Sequence, residues 1–412
     1  MPSFFRTLKG GTVVSNEVSE KRDRRGFLQS AGTGLMILRP ETVFGSQANS
    51  AVEFGLIGCG GRGSWIGASF QEFTGARLVA LADALPDRLE SAVQTLKAAP
   101  STRLYKGLNG YQDLAASKLD IVVILSPPYC HPEQAAAAIQ AGKHVYLAKP
   151  VAVDVAGCKS IVATGEKAKG KTSFFVDFQF RAREVFRELA ERVHRGDIGS
   201  PVVGQVYYHT GRLGRKDKTG DSPAMARLRN WVFDKALSGD IIVEQNVHAL
   251  DAGNWLLNGH PLKAYGTGGR KARADVGDCW DHFVVTYWFP DDVKVDFSST
   301  QCIKGYNDIC ARIYGSEGTA EAHYNGSATI AGPKAWKGAE KDDTGRQGTI
   351  DNIKTFVESV RAGRILNNTA VAAESTLTAV LGRMAAYGQR VVTWDEMMRS
   401  NEKLDYRLQG LA

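Results

Sequence analysis

The stretch GDIIVEQNVHALDAGNW, residues 239–255, carries Glu244, His248 and Asp251 at positions i, i+4 and i+7. On a helix the three side chains share one face. Histidine can take and return a proton near neutral pH, where its unperturbed pKa lies, and a nearby carboxylate can orient it or a substrate. The same residue types also bind metals, and a histidine on an amphipathic helix can be an ordinary core residue. ExxxH and HxxD are weak metal patterns, and Cys59, Cys130, Cys158, Cys279, Cys302 and Cys310 form no CxxC or zinc spacing. No metal is expected. The thiols read as reduced and partly buried, with Cys302 and Cys310 the one pair that could close a disulfide. Asp251 reads as structural.

A second constellation lies upstream. VEFGLIG, residues 52–58, reads as a strand that runs into Gly58-Cys59-Gly60-Gly61-Arg62-Gly63 and then into a helix-compatible run, SWIGASFQEF. In GxGxxG the first glycine permits the tight turn. The second lets backbone approach a pyrophosphate, and the third lets the helix pack on the strand. Backbone N–H groups at the helix start, with Arg62 among them, then face the phosphates. The next strand, ARLVALAD, ends in Asp83, 20 residues after Gly63. A carboxylate there accepts hydrogen bonds from ribose hydroxyls and repels a 2′-phosphate, so NAD(H) is the expected cofactor. NADP(H) is the less favoured one, kept open by nearby Arg88.

These elements must be held by a sheet. LDIVVILSPPYCHPEQAAAAIQAGKHVYLAKPVAVD parses as strand Ile121–Leu125, turn, helix Pro132–Ala141 and strand His144–Leu147. Alternating strands and helices imply a parallel sheet, which binds ligands at the carboxyl ends of its strands. Ser126, Pro127, His131, Lys149 and Pro150 fall at such ends and join the expected cofactor residues. From about Thr172 the pattern changes to strands with period-two alternation, such as VKVDFSS, expected to form an antiparallel sheet with one free face. Helices are expected near Thr349–Arg361 and Glu374–Gln389. The fold class is therefore α/β. A Rossmann dinucleotide-binding domain, residues 51–172, precedes a C-terminal α+β domain, residues 173–412, with a large open, mostly antiparallel sheet. In the latter, GRLGRKDKTGDSPAMARLRNW, residues 211–231, can lie over the cleft with Trp231 against a sugar ring, and GTGGR can place Arg270 at the substrate. Both segments also read as plain surface loops.

The GxGxxG turn, the SPP…H turn, AGKHVYLAKP and IIVEQNVHALDAGNWL together resemble the Gfo/Idh/MocA oxidoreductases, from about Val52 to the C-terminus. The ending GRMAAYGQRVVTWDEM looks like that of secreted bacterial members. The resemblance implies hydride transfer between a sugar or polyol carbon and nicotinamide, with Lys149 and His248 handling the hydroxyl proton. The family's usual Glu-Lys-Pro is Ala148-Lys149-Pro150 here, so Lys149 is expected to lack its acidic neighbour. Glu244 stands where the family has Asp, and is expected to orient substrate or His248. Family likeness and the large sheet imply a homo-oligomer, a dimer or a tetramer.

Composition narrows the remaining classes. The net charge is +7, of which residues 1–50 supply three, and no basic block with interleaved aromatics points to nucleic acid. No run approaches the ~20 apolar residues of a membrane span. The N-terminus orders DRRGFLQ, a weakly apolar tract from Ala31 to Leu38, and small residues ending at Ala48. This resembles a twin-arginine (Tat) signal, residues 1–48, for export of a folded protein to the periplasm or beyond by the Tat machinery. Outside the cytosol no soluble pool would exchange with the nucleotide, so it should travel tightly bound and be reset on the enzyme. Three rivals stay open. A redox-assisted glycosidase would release aglycone from an aryl glycoside without added NAD. A non-catalytic cofactor- or carbohydrate-binding protein would ignore loss of Lys149. A cytosolic dehydrogenase would exchange NAD freely.

Overall fold

The computed structural model describes residues 51–338, 344–406 and 408; the expected leader, residues 1–48, lies outside them. Six short strands form the first sheet: β1 (Glu53–Ile57), β2 (Arg77–Asp83), β3 (Arg103–Lys106), β4 (Ile121–Ile124), β5 (His144–Ala148) and β6 (Phe174–Asp177). Their order is β3-β2-β1-β4-β5-β6, every pair parallel. All four residues of β4 are buried, as expected of a strand covered by helices on both faces. The chain direction of the order reverses between β1 and β4. That switch point opens a crevice beyond the strand ends.

The division at residue 172 needs correction. β6 was assigned to the second part but pairs with β5 as the last strand of the first sheet. The helices that cover this sheet also come from far along the chain. α1 (Gly61–Thr74) is flanked by α5 (Thr344–Arg361), whose Ile353, Phe356 and Val357 share a buried cluster with Phe54, Phe70 and Tyr146. α2 (Pro86–Thr95) and α3 (His131–Gln140) follow β2 and β4.

The second sheet has nine strands: β7 (Pro201–His209), β8 (Lys263–Gly269), β9 (His282–Trp288), β10 (Lys294–Thr300), β11 (Asp308–Gly315), β12 (Thr319–His323), β13 (Ala328–Ala331), β14 (Trp336–Lys337) and β15 (Val392–Thr393). They run in the order β14-β13-β12-β11-β7-β10-β9-β8-β15. β7 and β10 pair parallel and the other neighbours antiparallel. Alternation sets its faces: Val295, Phe297 and Ser299 of β10 point into the molecule, while Asp296 is exposed. The inner face packs on α4 (Val247–Leu256) and α6 (Thr369–Gly388). The outer face leaves Val203, Tyr265 and Val284 exposed.

All six cysteines are free thiols, Cys302 and Cys310 included. Among the described residues no helix is long and apolar enough to cross a membrane, and no group of three His, Cys, Asp or Glu could hold a metal ion.

Candidate active site

β1 delivers the chain into the glycine turn, and the backbone there tolerates little else. Gly58 has φ +88°, and a Cβ on it would lie 2.5 Å from the Leu125 carbonyl carbon. A Cβ on Gly63 would lie 1.8 Å from the Gly58 oxygen. These two glycines serve the protein's own packing. Gly61 differs: a Cβ there would meet nothing within 4 Å. Gly60 and Gly61 instead border a cleft at the switch point, shared with Gly58, Arg62, Gly63, Asp83, Ser126 and Pro127. The open cradle at a helix N-terminus fits a dinucleotide pyrophosphate. Asp83 is buried at the end of β2, and its oxygens accept hydrogen bonds from Cys59 N (2.7 Å) and Leu85 N (2.8 Å). Burial raises its pKa. The carboxylate thus ties the glycine turn to β2 and keeps lone pairs for a ribose.

Lys149 follows β5. Its Nζ donates to the Glu244 carbonyl oxygen at 2.6 Å and lies 3.6 Å from Glu244 Oε1. The acid absent at position 148 is therefore replaced from across the chain, and the expectation of an unpartnered lysine is corrected. Burial lowers the Lys149 pKa, opposed by the Glu244 carboxylate and reinforced by Arg62. His248 is buried, and its pKa falls well below the usual value through burial, then through the charges of Lys149 and Arg62. It is a neutral imidazole at neutral pH. Arg62 reaches this group because its Nη2 is held by Asp177 Oδ2 at 2.9 Å, at the end of β6.

Glu244 and His248 do not share one helix face. Glu244 ends a short helix, Ile241–Glu244, and His248 stands in the first turn of α4, with Gln245 and Asn246 between them. This break lets the Glu244 carbonyl meet Lys149. It also leaves buried polar atoms without a partner among the described residues: Glu244 Oε2, His248 Nδ1 and both amide atoms of Asn246. Such atoms are costly unless something hydrogen-bonds to them, and the hydroxyls of a polyol would.

Asp251 is fully buried and structural. It accepts from Arg181 Nε (3.0 Å) and Nη2 (2.9 Å) and from Ser375 Oγ (2.6 Å). Asp251→Ala would strand Arg181, and a loss of about 3–5 kcal/mol is expected in denaturant unfolding.

Four expected roles change. His131 is buried away from the cleft, its ring nitrogens 2.8 Å from the Pro150 oxygen and 2.9 Å from the Ser126 oxygen. It joins the two strand-end turns, and burial lowers its pKa to about 4. Pro150 is likewise buried and does not line the cleft. Trp231 borders the dinucleotide cleft, with Leu228 and Lys216, instead of a separate sugar site. Arg270 hydrogen-bonds the carbonyls of Arg273 and Val276 in its own loop and does not reach the cleft. Tyr129 and Gln134, unremarked in the sequence, line the cleft, and Gln134 accepts from Ser126 Oγ at 2.5 Å. Both stand inside SPPYCHPEQ, where the turn after β4 was the signal available.

Comparison with known proteins places this geometry. Inositol 2-dehydrogenase of Klebsiella pneumoniae (strain 342) is 30% identical over 209 residues, covering 50% of this chain and 55% of that protein. The chain thus matches about half the length of this relative. A levoglucosan dehydrogenase solved with NADH superposes with a TM-score of 0.67 at 18% identity, over 84% of this chain and 99% of that one. Aldose-aldose oxidoreductase from Caulobacter crescentus, solved with glycerol, gives a TM-score of 0.68 at 18% identity, over 84% and 100%. At these identities the structures establish a shared fold. The family model described as an oxidoreductase family with an NAD-binding Rossmann fold matches residues 52–178, and the C-terminal domain model of the same family matches residues 186–321. With both halves matched and the glycine cradle intact, the chain belongs to the Gfo/Idh/MocA oxidoreductase family.

Proposed function

We propose that the protein is an NAD(H)-dependent oxidoreductase acting on a CH–OH group of a sugar, polyol or sugar derivative, exported with its cofactor bound. The observation that carries the chemistry is the largely sheltered Lys149, paired with Glu244 and beside neutral His248. Bound NAD⁺ would supply the hydride acceptor. The chain's residues supply the rest. When the substrate carbon gives up hydride, its hydroxyl must give up a proton. Burial brings the neutral form of Lys149 within reach, and that form accepts it. His248 offers an imidazole nitrogen as relay or alternative acceptor. The unpartnered Glu244 Oε2 accepts a second hydroxyl and orients the substrate. Gly60, Gly61 and Arg62 would hold the pyrophosphate end of the nucleotide, and Asp83 the ribose.

The relatives' names choose the first trial substrates: inositols, levoglucosan and aldoses. Incubating the protein with NAD⁺ and each in turn should produce NADH with at least one. No reduction with any member of the panel would contradict the proposal.

A pH profile adds a signed test. The lowered Lys149 pKa means the base form is gained as pH rises. kcat/KM for alcohol oxidation should therefore rise with pH and level off below the ordinary lysine value of about 10.4. Carbonyl reduction should fall over the same interval. An oxidation profile with no limb in that range would remove Lys149 from the proton step.

Export rests on the order of basic, apolar and small residues before Ala48. Cell fractionation with the leader intact and with Arg24 and Arg25 replaced by lysine tests it. The open outer face of the second sheet, with Val203, Tyr265 and Val284, is the surface through which copies would assemble.

A further inference from the structure

The dinucleotide cleft is walled on three sides by the ends of β1, β2 and β4, but its fourth wall comes from the other half of the chain. Residues 211–231, between β7 and the turn Trp231–Phe233, cross back over the first sheet and place Lys216, Leu228 and Trp231 in the lining. One residue fastens this crossing. Arg229, 5% exposed, forks onto two carboxylates. It donates to both oxygens of Asp87 (3.0 and 3.1 Å), in the first turn of α2, and to both of Asp221 (2.8 and 2.9 Å), within the crossing segment. Lys218 pairs with the same Asp87. Arg88, which lines the cleft beside Asp83, donates to the Arg229 carbonyl at 3.5 Å.

The C-terminal tail backs this wall. Tyr406 packs on the cleft residue Tyr129 with ring centroids 4.7 Å apart, and its carbonyl accepts from Arg227. Leu404 N donates to Asp154 at 2.7 Å. Leu228 and Tyr129 share one apolar cluster with Leu404 and Leu408.

We infer that residues 211–231 are a strap closing the dinucleotide cleft, with Arg229 as its latch, so that the cofactor leaves only when the strap lifts. The inference rests on the NAD(H)-binding reading and gives it a physical cause for retention: α2 and the strap must part before the nucleotide can pass. The salt dependence follows from the same contacts. Lys218 is exposed and screened by salt, while Arg229 is sheltered and screened less.

The test loads the full chain with NADH and follows its fluorescence after mixing with excess NAD⁺. Breaking a sheltered forked pair should raise the NADH off-rate of Arg229→Ala by about tenfold or more, with Arg229→Lys between it and the parent. Salt should speed release from the parent more than from Lys218→Ala. Should Arg229→Ala fold poorly, Asp87→Asn removes the shared partner from the other side and should accelerate release likewise. Off-rates within about twofold of the parent in Arg229→Lys and Asp87→Asn, both folded by circular dichroism, would overturn the strap while leaving NAD(H) binding intact. A parent protein that takes up no NADH would overturn both.

Discussion

Lys149→Met is expected to lower the rate of hydride transfer from substrate by about 10³-fold or more while leaving the NADH dissociation constant nearly unchanged. Lys149 follows β5 and is not among the residues that line the dinucleotide cleft. Methionine keeps the buried volume and removes the amine. The loss should appear in kcat and kcat/KM alike, because the missing interaction belongs to the proton in flight and not to substrate binding. Removal leaves the partly buried Glu244 without its cation, so some loss of stability accompanies the change. Single-turnover reduction of bound NAD⁺, measured on protein shown folded by calorimetry, separates the two effects. A variant that turns over within about tenfold of the parent would place the proton acceptor elsewhere.

The glycine turn offers a second large effect with an internal control. Gly63→Ala puts a carbon into the Gly58 oxygen, so α1 must move away from β1. Both the thermal midpoint and NADH affinity should fall, affinity by about 10²-fold or more. Gly60→Ala meets protein only at ordinary contact, 3.7 Å from the Arg88 guanidinium. Its stability without cofactor should be close to the parent's, and its affinity for NADH should fall about tenfold, because the added methyl stands where backbone would approach phosphate. Isothermal titration with NADH beside a thermal melt reads both quantities. Unchanged affinity in Gly60→Ala would mean that the nucleotide does not lie against this turn.

Much of the first sheet was legible because its signals are local. β1, β2, β4 and β5 are short apolar runs bounded by turn residues, and GxGxxG sits between a strand and a helix. β3 escaped because RLYK is a four-residue strand with a charge at each end, lies at a sheet edge and buries none of its side chains fully. β6 was visible as a strand but not as a member of this sheet, since its pairing with β5 is a contact between distant segments. The same physics hid the partner of Lys149. Ala148 announces a missing acid, yet Glu244 lies 95 residues beyond Lys149, and the break at Gln245 and Asn246 leaves its carbonyl free to meet the lysine. The helix periodicity that placed Glu244, His248 and Asp251 on one face assumed a continuous helix. The helix is instead interrupted at Gln245 and Asn246, between the acid and the histidine, and Asp251 anchors Arg181. Trp231 was read as a sugar platform because an aromatic after a glycine-rich basic loop suits one. Its position on the dinucleotide cleft follows from the Arg229 contacts, which couple residues far apart in sequence.

The measurement that bears most directly on this account is isotopic. Protein loaded with NAD⁺ is mixed with an inositol or aldose carrying deuterium on the carbon of the reacting hydroxyl, and the nucleotide is released and weighed. Deuterium in the recovered NADH from the parent protein, and none from Lys149→Met in the same single-turnover interval, is the predicted result. Recovery of unlabelled, oxidised NAD⁺ from the parent with every labelled polyol and sugar tried would contradict it.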